Sequence, residues 1–464
     1  MPGPGRWIRP WHSINSNYKN GNIILSKPSP IFISILFMFI WTTSANAVDL
    51  VQIYAQAEAS DPLYKQSVAA YNAVREAKPQ AWSQLMPVLS LNAFTATNDQ
   101  DISTSGIAAA SGEITFNTHG YSLDISQPVF RFDRFLALGQ ADSQILQAEA
   151  ELNAAQQDLV VRVSERYFEV LAAIDNLDFV RAERVSLHRQ LEQAKQLFEV
   201  GLIAITDVQE AQAGYDRSVA NEILAENAID NAREALREVT GDYQTELTPL
   251  GTNMPLVSPQ PEIIEEWTQI SQEQNMRVIA TRHELETVRQ TINIQQSGHL
   301  PTLDIVARKG FDSGGGRFGG TQIDATSIGL ELNMPLFQGG LVNSRTREAR
   351  HRYDEALERL EQQFRSAQRQ TREAYLGVVS GVSQVKALDQ AVTSSQTALL
   401  ATEAGFEVGT RTAVDLVASQ RVLLQAKRDY ARARYDYILN TLRLKQAAGT
   451  LSPDDLKEIN SWLE

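Results

Sequence analysis

The four residues Phe198-Glu199-Val200-Gly201 recur as Phe406-Glu407-Val408-Gly409, 208 positions later. An internal repeat sets the size of the folding unit and so governs every later reading. At the same offset Tyr167 meets Tyr375, Asp207 meets Asp415 and Gly241 meets Gly449 without a gap. Upstream the offset becomes 207 where Gln127-Pro128-Val129-Phe130 meets Met334-Pro335-Leu336-Phe337, and 214 where Val74-Arg75 meets Val288-Arg289. The chain reads as a tandem duplication: residues 48–241 form the first unit, 262–449 the second, and 450–464 a tail. Between the units, residues 242–261 carry Pro249, Pro255, Pro259 and Pro261, a density that marks a connector.

Each unit combines two periodicities. From Leu136 to Phe198 there is no proline, and apolar residues recur at three- and four-residue steps through Leu152, Ala155, Leu159, Val163, Tyr167 and Leu171. At 1.5 Å per residue this predicts a helix on the order of 90 to 100 Å long. The segment Leu341 to Phe406 repeats it, and shorter helical patterns cover 48–78, 208–239, 262–298 and 413–447. Helices of such length must bury their apolar stripe against neighbours, as coiled coils do. Four segments alternate instead, beginning at Leu89, Tyr121, Thr302 and Ser327, which predicts strand pairs at about 88–127 and 301–334. In the second of them Tyr121, Leu123 and Ile125 share one face and Ser122, Asp124 and Ser126 the other. The polar stretches NDQDISTSGIAAASGE and GFDSGGGRFGG read as exposed loops joining the strands of each pair. Four strands fall short of the roughly 8 needed to close a barrel in lipid. If these strands enter a membrane, several chains must share one barrel, because unpaired backbone is not tolerated there.

Other features exclude function classes. Arg6, Arg9, Lys19 and Lys27, then the apolar run from Pro30 to Trp41 and Ala45-Asn46-Ala47, have the parts of a secretory leader spanning 1–47. Those four cations leave with it, so the formal charge would fall from −14 to −18, a surface that repels nucleic acid. Cysteine is absent, which removes disulfides, thiolate metal sites and cysteine nucleophiles. The six histidines show no metal-ligand spacing, and no catalytic constellation emerges, so neither enzyme activity nor a cofactor nor a metal is expected. Gly314, Gly316 and Gly319 form a GxGxxG pattern, but a strand pattern rather than a helix follows it, which argues for a flexible loop.

The repeated words, in segments 198–207 and 406–415, read as helical turns. Gly201 and Gly409 suit the left-handed conformation that ends helices, and Thr206-x-x-Gln209 and Thr412-x-x-Asp415 read as capping boxes that open the next ones. Turn chemistry does not explain Arg411, which stands where the first unit has Ile203.

The stretches GLIAITDVQEAQAGYD, GHLPTLDI and VGTRTAVDL resemble the TolC family of outer-membrane channels, and the likeness runs from Val48 to about Asp454. The resemblance implies an α+β membrane protein: a homotrimer whose four strands per chain give a shared 12-stranded β-barrel in outer-membrane lipid. It also implies a long periplasmic α-helical coiled-coil barrel, in a Gram-negative cell. Such channels are the exit ducts of tripartite efflux pumps and type I secretion systems, with a periplasmic adaptor and an inner-membrane pump or ABC transporter as partners. The family's closed entrance is held by a hydrogen-bond and salt-bridge network, matched here by Gln190, Thr206, Asp207 and Arg411, while Phe406 stands where a tyrosine is common. Asp415 matches a cation-binding ring at the entrance, whose second position is Ala418 in this chain. Val200-Gly201-Leu202 and Val408-Gly409-Thr410 match the tips that an adaptor contacts. The competing reading is a non-conducting coiled-coil scaffold. Asp124, Asp304 and Glu331, read as unpaired acids on the polar strand faces, favour a water-filled lumen over it.

Overall fold

The computed structural model describes residues 47–103, 112–316 and 319–464. The leader expected at 1–47 therefore lies, apart from Ala47, outside the described residues, as does the middle of the first inter-strand loop. Three helices open the described chain: α1 (Leu50–Ser60), α2 (Pro62–Arg75) and α3 (Ala77–Ser83). The helical run expected over 48–78 is thus divided among them. The Asp61 side chain accepts the Leu63 N–H at 2.8 Å, and Pro62, having no N–H to lose, takes the first helical position. The run expected at 262–298 is likewise divided at Asn275 into α6 (Ile264–Gln274) and α7 (Met276–Gln296).

The long helices form as the periodicity requires. Helix α4 (Phe132–Glu199) has 68 residues and α8 (Leu341–Glu407) has 67, each roughly 100 Å long. Each turns back into a helix of 36 residues, α5 (Ile205–Thr240) and α9 (Ala413–Ala448). Helix α4 packs on α5, α7 and α9, while α8 packs on α7 and α9. The main core lies where the most helices meet. Tyr167 and Phe168 are fully buried there, edge to face at 5.5 Å, and Phe168 stacks on Tyr435 of α9 at 5.4 Å. The Tyr167 hydroxyl donates to the Thr248 carbonyl at 2.6 Å, which ties the proline-rich connector to this core. The segment expected as a tail also folds: α10 (Asp454–Asn460) buries Leu456 and Ile459 in the same core.

Strands β1 (Val88–Ile102), β2 (Gly112–Phe130), β3 (Thr302–Gly314) and β4 (Thr321–Asn333) form one antiparallel sheet in that order. Leu89, Ile125, Ala307 and Ile328 align across one face, and Ser90, Asp124, Arg308 and Ser327 across the other. The strands outrun their alternation because polar side chains pair beyond the apolar zone: Thr97 Oγ1 donates to Asn117 and Asn98 to Thr118, both at 2.9 Å. Gly314 is accordingly the last residue of β3, with Gly316 and Gly319 between it and β4. Two of the three acids read as unpaired are paired. Asp304 receives both Arg131 Nε at 3.1 Å and Arg131 Nη2 at 2.6 Å, and Asp124 accepts from Ser122 Oγ at 2.7 Å and lies 3.5 Å from Arg308 Nε. The register sets Arg308 directly opposite Asp124, a pairing that the spacing within one strand does not reveal. Glu331 makes no ion pair among the described residues.

Candidate functional site

The two turns that carry the repeated word lie at the far ends of α4 and α8, remote from the sheet. At the first, Gly201 has φ +75°, its N–H donates to the Phe198 carbonyl at 2.9 Å, and the Leu202 N–H donates to Leu197 at 2.9 Å. This is the doubly bonded Schellman closure that a left-handed glycine permits. The second repeats it: Gly409 has φ +75°, and the N–H groups of Gly409 and Thr410 donate to Phe406 at 3.0 Å and Gly405 at 2.8 Å. Here the closure is reinforced, since the Arg411 N–H at 3.1 Å and Thr410 Oγ1 at 3.0 Å also donate to the Gly405 carbonyl. The Arg411 stem lies over Gly405, where any added Cβ would collide with it.

The helix starts differ more. Thr412 caps α9: the Asp415 N–H donates to Thr412 Oγ1 at 3.2 Å, and Asp415 Oδ2 accepts the Thr412 N–H at 2.9 Å. The bond from the Thr412 N–H, and then that from its hydroxyl, hold the Asp415 carboxyl below the usual carboxylate range. At the first turn the expected Thr206–Gln209 box is not the cap. Helix α5 starts at Ile205 with Ala204 as its cap residue, and Asp207 accepts the Ala204 N–H at 3.2 Å. The alanine side chain offers no oxygen in return, and the Asp207 N–H donates to the Ala204 carbonyl at 3.1 Å instead, so only half of a capping box forms and Thr206 sits inside the first turn.

The remaining predicted residues distribute along the same end. Gln190 is half-buried on α4, Phe406 is half-buried while Phe198 is exposed, and Ala418 is exposed one turn beyond Asp415. Val200, Leu202 and Val408 are 69%, 70% and 74% exposed, an apolar rim left uncovered by the described residues. Asp207 and Arg411 enter no ion pair with each other or with another side chain among the described residues.

A polar seam joins α4 to α9 and was invisible to sequence reasoning. Arg443 Nη2 donates to Glu165 at 2.7 Å, the Tyr435 hydroxyl to Asp175 at 2.7 Å, Arg421 Nε to Glu183 at 2.7 Å, and Ser186 Oγ to Gln420. Burial pushes the Asp175 carboxyl up, opposed by the Tyr435 hydroxyl bond. These partners stand well over 200 residues apart, and no local spacing announces them.

The arrangement has known counterparts. A family model described as outer membrane efflux protein matches residues 53–242 and 267–450. Outer membrane protein TolC of Vibrio cholerae is 37% identical, the match covering 95% of this chain and 99% of that one. Alkaline protease secretion protein AprF of Pseudomonas aeruginosa is 26% identical over 91% of this chain and 88% of that one. In fold, the chain is similar to the outer membrane channel CmeC of Campylobacter jejuni, with a TM-score of 0.73 at 15% identity, covering 89% of this chain and 90% of that one.

Proposed function

The chain belongs to the outer membrane efflux protein family, and from that premise we propose that three copies assemble into one channel whose helical end opens and closes. It is an outer-membrane protein and serves as an exit channel of the efflux and type I secretion kind. One observation carries the trimer. The four-stranded sheet leaves both β1 and β4 with a free edge, and on β4 every residue is exposed. Unpaired backbone edges are not tolerated in hydrocarbon, so β4 of one copy pairs with β1 of the next until three chains close a 12-stranded wall. The apolar face through Leu89, Ile125, Ala307 and Ile328 then meets lipid and the polar face lines water.

The helical end is the gate. Asp207 spends one carboxylate oxygen on the Ala204 N–H, leaving the other to accept a neighbour's donor. Arg411, which enters no ion pair among the described residues, supplies that donor across the trimer, with Gln190, Thr206 and Phe406 completing the closed contact. An exposed pair of this kind contributes about 0 to 1 kcal/mol, weak enough to be released by a partner. The partner is a periplasmic adaptor, itself docked to an inner-membrane pump or ABC transporter, and it grips the apolar rim of Val200-Gly201-Leu202 and Val408-Gly409-Thr410. Asp415, repeated by symmetry, forms an acidic ring that favours cations in the resting pore. Native mass measurement of the detergent-extracted protein tests the assembly: a trimer is expected, and a folded monomer would contradict it.

A further inference from the structure

Toward the loop ends of the strands, the alternation of the sheet changes sides. The apolar face through Leu89, Ile125, Ala307 and Ile328 ends at Tyr121 and Phe311, whose rings stack at 5.8 Å. Aromatic girdles of this kind mark the edge of the hydrocarbon layer. Beyond them the same face is polar, with Thr95, Thr97 and Asp99 on β1 and His119, Asn117 and Thr115 on β2. The opposite face, polar through Ser90, Asp124 and Arg308, turns apolar at that level. It carries Phe94 and Ile323, then Phe116, Ile114 and Ile102 where β1 and β2 run on past the last β2–β3 pair, Thr118 with Gly314.

One row of this face crosses all four strands: Phe94 stands opposite Gly120, Gly120 opposite Asp312, and Asp312 opposite Ile323. Directly opposed residues project from the same side of a sheet. Phe94 and Ile323 are 53% and 54% exposed. A Cβ on Gly120 would lie 2.6 Å from Asp312 Oδ1 and 2.9 Å from Phe94 Cε1, so ring edge and carboxylate converge on the space that the glycine leaves. A ring laid over a strand glycine also mends the sheet. That accounts for the place of Phe94, but not for the reversal that brings Phe116, Ile114 and Ile323 to its side. Asp312 enters no ion pair among the described residues, whereas Asp124 and Asp324 find Arg308 and Lys309.

We propose that this row is a binding subsite, at the outer mouth of the duct, for organic cations that carry an apolar or aromatic group. The inference rests on the channel proposed above, in which this face is the inner one. Three copies then set three Phe94 rings and three Asp312 carboxylates around the opening, with the apolar ends of the β1–β2 hairpins beyond them. A small inorganic ion gains only the carboxylate there and keeps its water. A quaternary ammonium with a phenyl group gains the carboxylate, an aromatic neighbour and burial of its own apolar surface. The row lies at and beyond the aromatic girdle, outside most of the transmembrane field, so its occupancy depends little on voltage.

Single-channel recording of the native protein in planar bilayers tests this, with benzyltrimethylammonium or tetramethylammonium added on the side of the inter-strand loops. Benzyltrimethylammonium is expected to interrupt the current at a concentration about fivefold lower than tetramethylammonium requires. Asp312→Asn should raise both concentrations, whereas Phe94→Leu and Phe116→Leu should each shrink the difference between them. Equal potency of the two cations in the native protein overturns the subsite before any variant is made. So does an advantage of benzyltrimethylammonium that Asp312→Asn and Phe94→Leu both leave intact, because the block then lies elsewhere. A native current that neither cation interrupts overturns the subsite and leaves the channel standing, while membrane-inserted protein with no current removes both.

Discussion

At the first turn Asp207 holds a single backbone N–H, whereas at the second Thr412 and Asp415 hold each other's and the Gly405 carbonyl gathers three donors. The first turn relies instead on a small apolar cluster of Leu191, Val208 and Ala211. The same four residues thus end two helices through the same glycine closure, to which the first turn adds burial and the second further hydrogen bonds. Both carboxylates bind their own turn through one oxygen, Asp207 taking a single donor there and Asp415 two.

The sharpest way to separate the halves is at the glycines that end α5 and α9. Both have left-handed backbones, with φ +80° at Gly241 and +79° at Gly449. A Cβ at Gly241 would meet the Ser60 Cβ at an ordinary 3.5 Å, but one at Gly449 would collide with the Gln274 backbone. Gly241→Ala should therefore cost about 1 kcal/mol of conformational strain. Gly449→Ala should cost several kcal/mol, on the order of an overpacked core site or worse. Denaturant unfolding of the two variants gives the comparison, and equal losses would break it.

A smaller effect separates the turns. Thr412→Ala should cost about 1 kcal/mol of local helix stability, while Ala204→Thr should add somewhat less than that to the first turn by completing its capping box. Exchange rates at the α5 and α9 starts report both. The smallest effects follow pH, and their signs are opposed. The Asp415 carboxyl is held below its unfolded value, so its contribution is present above the unfolded pKa and lost as pH falls through the folded one. The Asp175 carboxyl is raised, so its contribution is present below the unfolded pKa and lost as pH rises through the folded one. Acidification should loosen the second turn while tightening the α4–α9 seam, and Asp415→Asn and Asp175→Asn should each abolish one of these trends in melting measured against pH.

How much of this is written locally can be judged residue by residue. The absence of proline from Leu136 to Phe198 and the stepwise apolar pattern are local signals, and α4 and α8 follow them over their full length. Asp61-Pro62 carries a visible start signal inside an apparent single helix, whereas Asn275-Met276 carries only the asparagine. The cap of α5 was legible through the offset of 208, which sets Ala204 against Thr412, but the spacing of Thr206 and Gln209 concealed it. Asp175–Tyr435 and Asp61–Arg162 were not legible, because charge and hydroxyl pairs across 260 and 101 residues leave no periodicity to read. The gate proposed for Asp207 and Arg411 is of a third kind, since its second partner belongs to another copy of the chain.

The central claim is that three chains make a conducting duct closed at the Asp207–Arg411 end. Single-channel recording in planar bilayers tests it most directly, comparing the native protein with Arg411→Ser under a salt gradient. The account predicts a small, cation-selective native current that grows in the variant as the latch is removed. Membrane-inserted protein that carries no current, or a variant with unchanged conductance, would contradict it.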